Sequence, residues 1–408
     1  MPAVSVVRGL IVLYSTTIFL GLGHGMIMPI IPMIAGHFEI TGGIAAQIVT
    51  AFALGRFVGQ PIGGVLIDRF GTRIAITVGP LIIGLSVLVA SISPFFWPLL
   101  IALFIAGIAD SSWMLGREVA GVDLVKATQR GRLMSGFMGF HAVGMGLGGL
   151  AGGVLADASG FRAVFALYTF LSLLVFIVGY FAPNSKPHNR EINTEELGLN
   201  GNFINRIKGL FFQIDPALRS TYLVLVFATA SMMLYRMSFQ SMFPLYADEI
   251  GMSASRIGFL FFLMTFGSLI MIIPAGFIVD KVGRKWATVP STMLPGLAFL
   301  VIPFLGSFNP LIVIAVAMGF ANGLSLGSVA TSTYDVVPDS ARARLQAARR
   351  TFSEVGAITG PLLGGVLAVN YGAGMTFFVY APVLLIAAAL LMFVAKETLI
   401  KPAKLIES

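Results

Sequence analysis

The sequence predicts an all-α membrane protein of twelve transmembrane helices, arranged as two related six-helix halves. Three observations carry this prediction. First, 57% of the 408 residues are hydrophobic and only 11% are charged, whereas a soluble domain carries about 25% charged residues. Second, apolar runs of about 20 residues, long enough to cross a bilayer as helices, recur along the whole chain. Third, one pattern of residues occurs twice at a fixed spacing.

The apolar runs place twelve spans in order along the chain. They cover residues 9–35, 44–67, 74–92, 98–122, 132–156, 163–182, 220–247, 256–279, 287–305, 309–334, 346–371 and 375–396. No small-residue cleavage site precedes the second span, so we expect the first to be a retained helix rather than a signal peptide. Residues 1–182 and 220–408 then form the two halves. Residues 183–219 between them are polar and mixed in charge, which is typical of a linker.

The 26 Lys and Arg residues are distributed unevenly between the two sides of the predicted spans. Nearly all lie on the side that holds both termini. The exceptions are Arg162 and Arg256 on the other side, and Arg56 and Arg236 inside spans. The positive-inside rule therefore predicts that both termini and the linker are cytoplasmic, and the short loops favour a bacterial inner membrane. The net charge of +8 indicates this topology rather than a nucleic-acid partner.

An internal repeat relates the two halves at an offset of 212 residues. Three segments match: GVLIDRFGTR at 64–73 with GFIVDKVGRK at 276–285, DLVKATQR at 123–130 with DVVPDSAR at 335–342, and GMGLGGLAGG at 144–153 with GAITGPLLGG at 356–365. The same offset relates Pro32 to Pro244 and Gly107 to Gly319. A six-helix unit duplicated in parallel topology is typical of transporters whose solute site lies between the halves.

Both copies of the first segment resemble the loop signature of the major facilitator superfamily, G-x-L-a-D-r-x-G-r-k. The matching residues are Gly64, Leu66, Asp68, Arg69, Gly71 and Arg73, and then Gly276, Asp280, Lys281, Gly283, Arg284 and Lys285. The resemblance covers the whole chain. It implies two six-helix halves related by a pseudo-twofold axis along the membrane normal. It also implies that these loops are conformational latches, with Asp123 and Asp335 as acidic partners. Thr72 replaces a basic residue of the signature, so we expect a weaker latch in the first half.

Two further segments resemble the drug:proton antiporters with twelve helices in that superfamily. LGHGMIMPIIP at 22–32 fits their L-G-x5-P-x-x-P pattern. Their glycine signature, G-x3-G-P-x2-G-G, is approximated in span 5 by Gly144, Gly148, Gly152 and Gly153, and is complete in span 11 at Gly356, Gly360, Pro361, Gly364 and Gly365. Such glycines either only pack helices closely or serve antiport specifically. The chain departs from these exporters at Leu103, where they usually have arginine, and at Gly149, which replaces the proline.

Ionisable residues inside spans are costly and mark functional sites by default. They are His24, Arg56, Asp110, Arg117, Arg236 and Glu354. The offset pairs His24 with Arg236 and Asp110 with Asn322. In the resembled family, helices 1, 4, 7 and 10 line the central cavity. We therefore predict that these four residues form the polar floor of one solute site.

Helical periodicity adds neighbours to this predicted site. Trp113, Met114 and Arg117 share a helical face with Asp110, and Gln240 shares one with Arg236, beside Tyr235. Charged, aromatic and methionine side chains together suit an amphiphilic organic solute. The predicted solute-binding residues are His24, Asp110, Trp113, Met114, Tyr235, Arg236, Gln240 and Asn322.

Asp110 is the first choice of proton carrier, and His24 is the second because histidine changes charge near neutral pH. The alternative for Asp110 is a structural ion pair with Arg56 or Arg117. Those two arginines are then structural or gating charges. Glu354 is expected to be a gate or ion-pair residue near the cytoplasmic end of its span.

These predictions favour a proton-coupled efflux antiporter that works by alternating access. The alternative is a proton-coupled uptake symporter for an organic anion or a sugar-like metabolite. An enzyme or a receptor is remote, since the G-x-S-x-G at 323–327 and the G-x-G-x-x-G at 144–149 lie inside spans without a preceding strand.

The four histidines have no metal-ligand spacing, and no Walker A sequence is present. We therefore expect no metal and no other cofactor, with the proton gradient as the energy source. The expected partners are the lipid bilayer, a small-molecule solute and protons, and we expect a monomer.

Overall fold

A computed structural model describes residues 3–126, 129–183, 211–325, 328–338 and 341–399, and these residues form helices, turns and short loops with no strand. Most of the predicted linker, residues 184–210, lies outside the described residues. The predicted all-α fold class is confirmed.

Among the described residues, twelve helices are long and apolar enough to cross a membrane. We label these spans α1 to α12 in chain order. They are Val6–His37, Gly42–Phe70, Thr72–Ile92, Phe96–Leu124, Arg132–Ser159, Phe161–Gly179, Arg219–Glu249, Ala254–Val282, Lys285–Phe304, Phe308–Ser325, Arg344–Tyr371 and Ala373–Phe393. Their number and order agree with the prediction, and the chain is a multi-pass membrane protein.

Three spans change helix type along their length, and one of them, α9, ends in a 3-10 turn, Ile302–Phe304. The α1 span consists of an α-helix, Ala3–Ile27, a 3-10 turn, Met28–Ile30, and a second α-helix, Ile31–His37. Pro29 lies in that turn because proline has no N–H to donate to the preceding helix. The α8 span ends in a π-helical turn, Ile278–Val282.

Single glycines turn the chain between four pairs of spans. Gly71, Gly160, Gly283 and Gly372 have φ values of 85°, 79°, 154° and 85°, a left-handed region that favours glycine. Each donates its N–H to a carbonyl in the last turn of the preceding helix, at 2.8 to 3.0 Å. Gly71 and Gly283 are 212 residues apart, as are Gly160 and Gly372. The predicted repeat is therefore present in the backbone.

Glycines also allow helices to pack closely within each half. Gly144, Gly148 and Gly152 of α5 lie against α1, where an added Cβ on Gly148 would collide with the Leu22 carbonyl. Gly356 and Gly360 of α11 lie against Ala230 and Leu234 of α7, and Gly364 lies against Met242 of α7 and Thr376 of α12. This spacing therefore joins α5 to α1 and α11 to α7.

The two halves meet mainly at one end of the bundle. We call the end where α1 begins and α12 ends the terminal end, and the opposite end the distal end. At the distal end, Gly149 and Gly153 of α5 lie against Gly258 and Ala254 of α8, and Gly43 of α2 lies against Gly365 of α11. Close backbone approach of this kind closes the distal end between the halves.

One carboxylate crosses this interface. Asp157 on α5 accepts hydrogen bonds from the backbone N–H groups of Ala254 and Ser255, at 3.0 and 2.9 Å. These groups lie at the start of α8, so a side chain of the first half caps a helix of the second half.

Candidate functional site

In the first half, a buried carboxylate lies between two basic side chains, a histidine and an arginine. Asp110 on α4 is 2% exposed. Its Oδ1 lies 3.4 Å from Nε2 of His24 on α1, and its Oδ2 lies 3.3 Å from Nε of Arg56 on α2. His24 Nε2 and Asp110 Oδ1 are within ion-pair distance, yet neither is aligned for a hydrogen bond with any described residue. Each atom is therefore a buried polar group whose hydrogen-bonding capacity the described residues leave unused.

Small residues bring these groups together. A Cβ added to Gly55 of α2 would meet the Phe104 carbonyl of α4, and one added to Gly107 of α4 would meet the Phe52 carbonyl of α2. Because the backbones of α2 and α4 touch at this level, Arg56 reaches Asp110 directly.

The structure favours one of the two ion pairs that the sequence left open for Asp110. Arg56 forms the pair, whereas Arg117 does not. Arg117 Nη1 donates to Oγ1 of Thr17 at 3.2 Å, and its guanidinium lies over the Phe137 ring at 4.6 Å from the centroid. Arg117 is therefore held inside the first half by a hydroxyl and an aromatic ring, and its Nη2 also lies 3.7 Å from Oε1 of Glu118.

Trp113 differs from its predicted role in the solute site. It is 1% exposed and packs against Gly79 of α3, and it lines neither of the two cavities described below. Positions three residues apart on a helix diverge by about 60°, so Asp110 faces α1 and α2 while Trp113 faces α3. Met114 remains near the charged group, since its sulfur lies 3.5 Å from Arg56 Nη2.

The second half holds an arginine among neutral groups. Arg236 Nε donates to Asn322 Oδ1 at 3.1 Å, and its Nη2 donates to Ser325 Oγ. Tyr235 Oη donates to the same Asn322 oxygen at 2.6 Å. These three hydrogen bonds fix the orientation of the Asn322 amide and the plane of the Arg236 guanidinium. The predicted neighbours Tyr235, Arg236 and Asn322 come together as one network.

A cavity of about 300 Å³ lies between the halves, beside this network. Its walls are Met138, His141, Ala142 and Met145 of α5, Tyr235, Arg236, Phe239 and Gln240 of α7, Met264, Thr265, Ser268, Leu269 and Ile272 of α8, and Met318 and Asn322 of α10. We call it the central cavity. It separates α5 from α8 on the terminal side of their distal contact.

A second cavity of about 150 Å³ is lined mainly by residues of the first half, and we call it the side cavity. His24 and Arg56 line it, together with Phe52, Met237 and other apolar residues. His141, Met145 and Gln240 line both cavities. The carboxylate cluster and the arginine network are therefore linked through one shared wall, and Gln240 lies in it. Asp110 itself lies behind His24 and Arg56.

At the terminal end, the latch residues of the second half form a connected network. Arg284 donates from Nη1 to Asp280 Oδ1 and from Nε to Asp335 Oδ2, both at 3.1 Å. Thr398 Oγ1 donates to the same Asp335 oxygen at 3.1 Å. Asp335 thus has the position that the family resemblance implied. Gly276 and Gly283 flank Asp280 in this loop.

Glu397, which follows α12, completes this network. Its Oε1 and Oε2 accept the backbone N–H groups of Arg284 and Lys285 at 2.8 and 3.1 Å, at the start of α9. Burial would raise the pKa of Glu397, but backbone N–H donors from Leu399, Arg284, Lys285 and Thr398 lower it below its ordinary value. The ionised carboxylate is therefore a helix cap.

The described residues of the first half show no equivalent network of ion pairs. Among the described residues, Asp68 and Asp123 form no ion pair. Arg73 Nε donates to the Ala182 carbonyl at 2.9 Å instead. Thr72 occupies the position of Arg284, so this latch has no cation at the point where the second half joins two acids. Gly64 and Arg69 lie in the same loop without a described polar contact.

Near the terminal end of α11, Glu354 lacks, among the described residues, the ion pair that was considered for it from the sequence, and a neighbouring arginine is buried. Glu354 is partly buried and forms no ion pair with any described residue. Arg349 is 8% exposed and donates to Thr229 Oγ1 at 3.1 Å and to Gln346 Oε1 at 3.0 Å. Thr229 is the counterpart of Thr17, which Arg117 binds. The offset finds the two threonines but not their arginines, which come from different helices.

A sequence model described as Major Facilitator Superfamily matches residues 13–235 and 225–408. The multidrug resistance protein MdtG of Escherichia coli O81 (strain ED1a) is 24% identical over 404 residues, which cover 95% of this chain and 94% of that protein.

Two solved structures share the fold. The crystal structure of a D-xylose-proton symporter has a TM-score of 0.73 and 17% identity, covering 95% of this chain and 98% of that one. A bacterial homolog of the human lysosomal transporter Spinster, in an inward-facing and unoccupied conformation, has a TM-score of 0.72 and 16% identity, covering 96% and 97%. Both show the same architecture of two six-helix halves.

Proposed function

Because the chain belongs to the major facilitator superfamily, we propose that it is a proton-coupled transporter that exports amphiphilic organic compounds by antiport. One observation carries the proposal: Asp110 is buried between His24 and Arg56, beside a cavity at the interface of the halves. An ionisable carboxylate inside a membrane span is costly, and proton transfer is one of the functions that such a residue serves. The similarity to a multidrug resistance protein supports the class of solute.

Proton binding at Asp110 would release Arg56. Two unit charges about 4 Å apart attract by about 4 kcal/mol at an effective dielectric constant of 20, and protonation of the carboxylate removes this attraction. The Arg56 side chain is 39% exposed and lines the side cavity, so it can move once released. The charge state of Asp110 thus alters the wall that both cavities share.

The positions of contact and cavity support alternating access. The halves touch at the distal end, whereas the central cavity separates α5 from α8 on the terminal side. With the terminal end in the cytoplasm, as the positive-inside rule predicts, this is the state that loads solute for export. The proton gradient is the energy source, with no bound cofactor. One chain contains both halves and works as a monomer in a bacterial inner membrane.

The sign of the proton flux tests export. In inside-out membrane vesicles with an imposed acid-inside gradient, a transported solute should dissipate the gradient because each solute that enters releases a proton to the outside. A pH-sensitive dye reports the gradient, and vesicles without the protein give the background. Solute entry into right-side-out cells together with protons would contradict antiport.

A proton-coupled symporter is the second candidate, and Arg236 favours it. A proton on Asp110 leaves the cavities more positive, and charge alone would then strengthen binding of an anion at Arg236. Solute binding to the purified protein between pH 8 and pH 6 separates the two candidates. For antiport we expect weaker binding at the lower pH even when the solute is an anion, because release of Arg56 on protonation of Asp110 must weaken binding through the shared wall by more than the added positive charge strengthens it. Tighter binding at pH 6 would instead support the symporter.

A further inference from the structure

The central cavity contains a cation that no acid neutralises. The guanidinium of Arg236 donates to Asn322 and Ser325, which are both neutral. Within the part of the chain that the structure describes, no carboxylate forms an ion pair with it. An isolated charge in a membrane span is unfavourable unless a partner compensates it. The missing partner is a negative charge.

The walls of both cavities carry the same sign of charge. Their basic side chains are Arg236 and His141 in the central cavity and His24, Arg56 and His141 in the side cavity, and no Asp or Glu lines either cavity. The nearest acid of the site, Asp110, already contacts Arg56 and His24. The charge left for a solute is therefore positive and is located on Arg236.

Arg236 is also held in a geometry that suits an oxyanion. A guanidinium has five N–H donors in one plane, and the bonds to Asn322 and Ser325 use its Nε and one terminal nitrogen. The remaining donors stay in that fixed plane, which matches the two oxygens of a carboxylate or sulfonate. The same cavity is also lined by apolar side chains, among them Met145, Phe239, Met264 and Met318.

We propose that the central cavity binds an amphiphilic organic anion, whose carboxylate or sulfonate pairs with Arg236 while its apolar body packs against the methionines and Phe239. The inference deepens the proposed function by assigning the class of solute, and it rests on the cavity being the solute site. Export of such a solute also fits the energetics. An inside-negative potential supplies about 2.3 kcal/mol per charge per 100 mV, and it drives the anion outward and the proton inward.

Three probes of one shape test the charge preference. Binding of tritiated 1-naphthaleneacetate to the protein in lipid nanodiscs is measured, with displacement by the unlabelled acid, by neutral 1-naphthaleneacetamide and by cationic 1-naphthylmethyltrimethylammonium. We expect the acid to displace the label at a concentration at least about tenfold below that of the amide, since a charge pair of about 1.4 kcal/mol gives this factor. The ammonium probe should not displace it.

Variants locate the charge that is responsible. Arg236→Gln should weaken binding of the acid by about tenfold or more, and Arg236→Lys should weaken it less, because the charge remains but the planar donors are lost. Arg256→Gln is the matched control, because Arg256 is exposed at the distal end and lines neither cavity. Monodisperse elution and an unchanged unfolding temperature show that each variant is folded.

The outcomes separate this inference from the proposed function. Displacement by the ammonium probe as effective as by the acid, or wild-type affinity in Arg236→Gln, would overturn it. Absence of displaceable binding of the acid would do the same. If the ammonium probe drives proton flux in vesicles while the acid does not bind, antiport stands and the anion is wrong. Binding of the acid without any proton flux supports the anion and contradicts proton coupling.

Discussion

The two halves place polar groups at equivalent positions but give them different chemistry. In the first half, His24 and Asp110 form an ionisable cluster with Arg56. At the equivalent positions of the second half, Arg236 and Asn322 form a network with a fixed charge, in which no acid takes part among the described residues. The duplication thus preserved the backbone, while the side chains diverged. We infer that the first half handles the proton and the second half handles the solute.

The terminal end shows the same kind of divergence. Arg284 connects Asp280 with Asp335, whereas its counterpart, Thr72, is fully buried and donates to the Pro183 carbonyl at 3.4 Å. At the latch, Arg284 of the second half therefore forms ion pairs, whereas Thr72 of the first half donates a hydrogen bond to a backbone carbonyl. Substitutions that make one half resemble the other, or that remove the group that distinguishes it, should therefore separate the roles of the two halves.

The largest effect is expected from Asp110→Asn, which removes the only acid of the first-half cluster. Solute-driven proton flux should fall to the background of empty vesicles, because the amide cannot carry a proton at accessible pH. Asp248→Asn, at the exposed distal end of α7, is the control and should retain flux. Equal amounts of both variants in the membrane exclude a folding defect, and normal flux in Asp110→Asn would remove Asp110 as the carrier.

A charge swap distinguishes proton transfer from a structural ion pair at the same place. Arg56→Asp combined with Asp110→Arg keeps one charge of each sign. If the pair were only structural, the double variant would recover both folding and proton flux. We expect it to recover folding but not flux, because a carboxylate on α2 no longer faces His24.

The second half is made to resemble the first by Asn322→Asp. A carboxylate at this position would lie beside Arg236 Nε, where Asn322 Oδ1 is now 3.1 Å away. This carboxylate should neutralise the charge of Arg236, which we propose binds the solute. Affinity for 1-naphthaleneacetate should fall by about tenfold or more, as expected for loss of a pair of at least about 1.4 kcal/mol. Asn322→Ala, which removes the amide without adding charge, is the control and should have a smaller effect.

Much of this comparison could be predicted from the sequence, because it depends on the repeat. The offset of 212 residues relates Asp110 to Asn322 and Thr72 to Arg284 without any structure. The length of the apolar runs determines the spans, and two of the turn glycines, Gly71 and Gly283, belong to the repeated loop signature. The sequence also leads to the network of Tyr235, Arg236 and Asn322, since charged residues in a span must find polar partners.

Other contacts join positions that no periodicity relates. Asp157 caps α8 and Glu397 caps α9, and each reaches a helix that is far away in the chain. Trp113 lies on the same face as Asp110 in a helical-wheel projection, but the helix against which its ring packs depends on where the neighbouring helices leave space. Gly79 of α3 leaves the space for it. Such choices follow from the packing of three or more helices together.

A smaller effect is expected from Arg284→Thr, which gives the second latch the side chain of the first. The change removes bonds to Asp280 and Asp335 from a guanidinium that is 13% exposed. Partly exposed charge pairs of this kind contribute about 1 kcal/mol. The free energy of unfolding should fall by about that amount in denaturant titrations, whereas Arg344→Thr, at an exposed position of α11, should leave it unchanged. Equal stability of the two variants would show that the latch network contributes nothing in this conformation.

The smallest effect concerns Glu397, whose carboxylate caps α9 in the second half. Because its pKa is lowered in the folded protein, its ionised form stabilises the fold above the ordinary pKa of 4.5. This contribution is lost as the pH falls through the lowered value. Glu397→Gln should therefore lower the unfolding temperature at pH 7, by the equivalent of about 1 kcal/mol for a helix cap. The difference from wild type should shrink below pH 4.5. Intrinsic tryptophan fluorescence during heating measures both proteins, with Glu39→Gln as an exposed control. A difference that stays constant down to the lowest pH would show that the cap does not depend on ionisation.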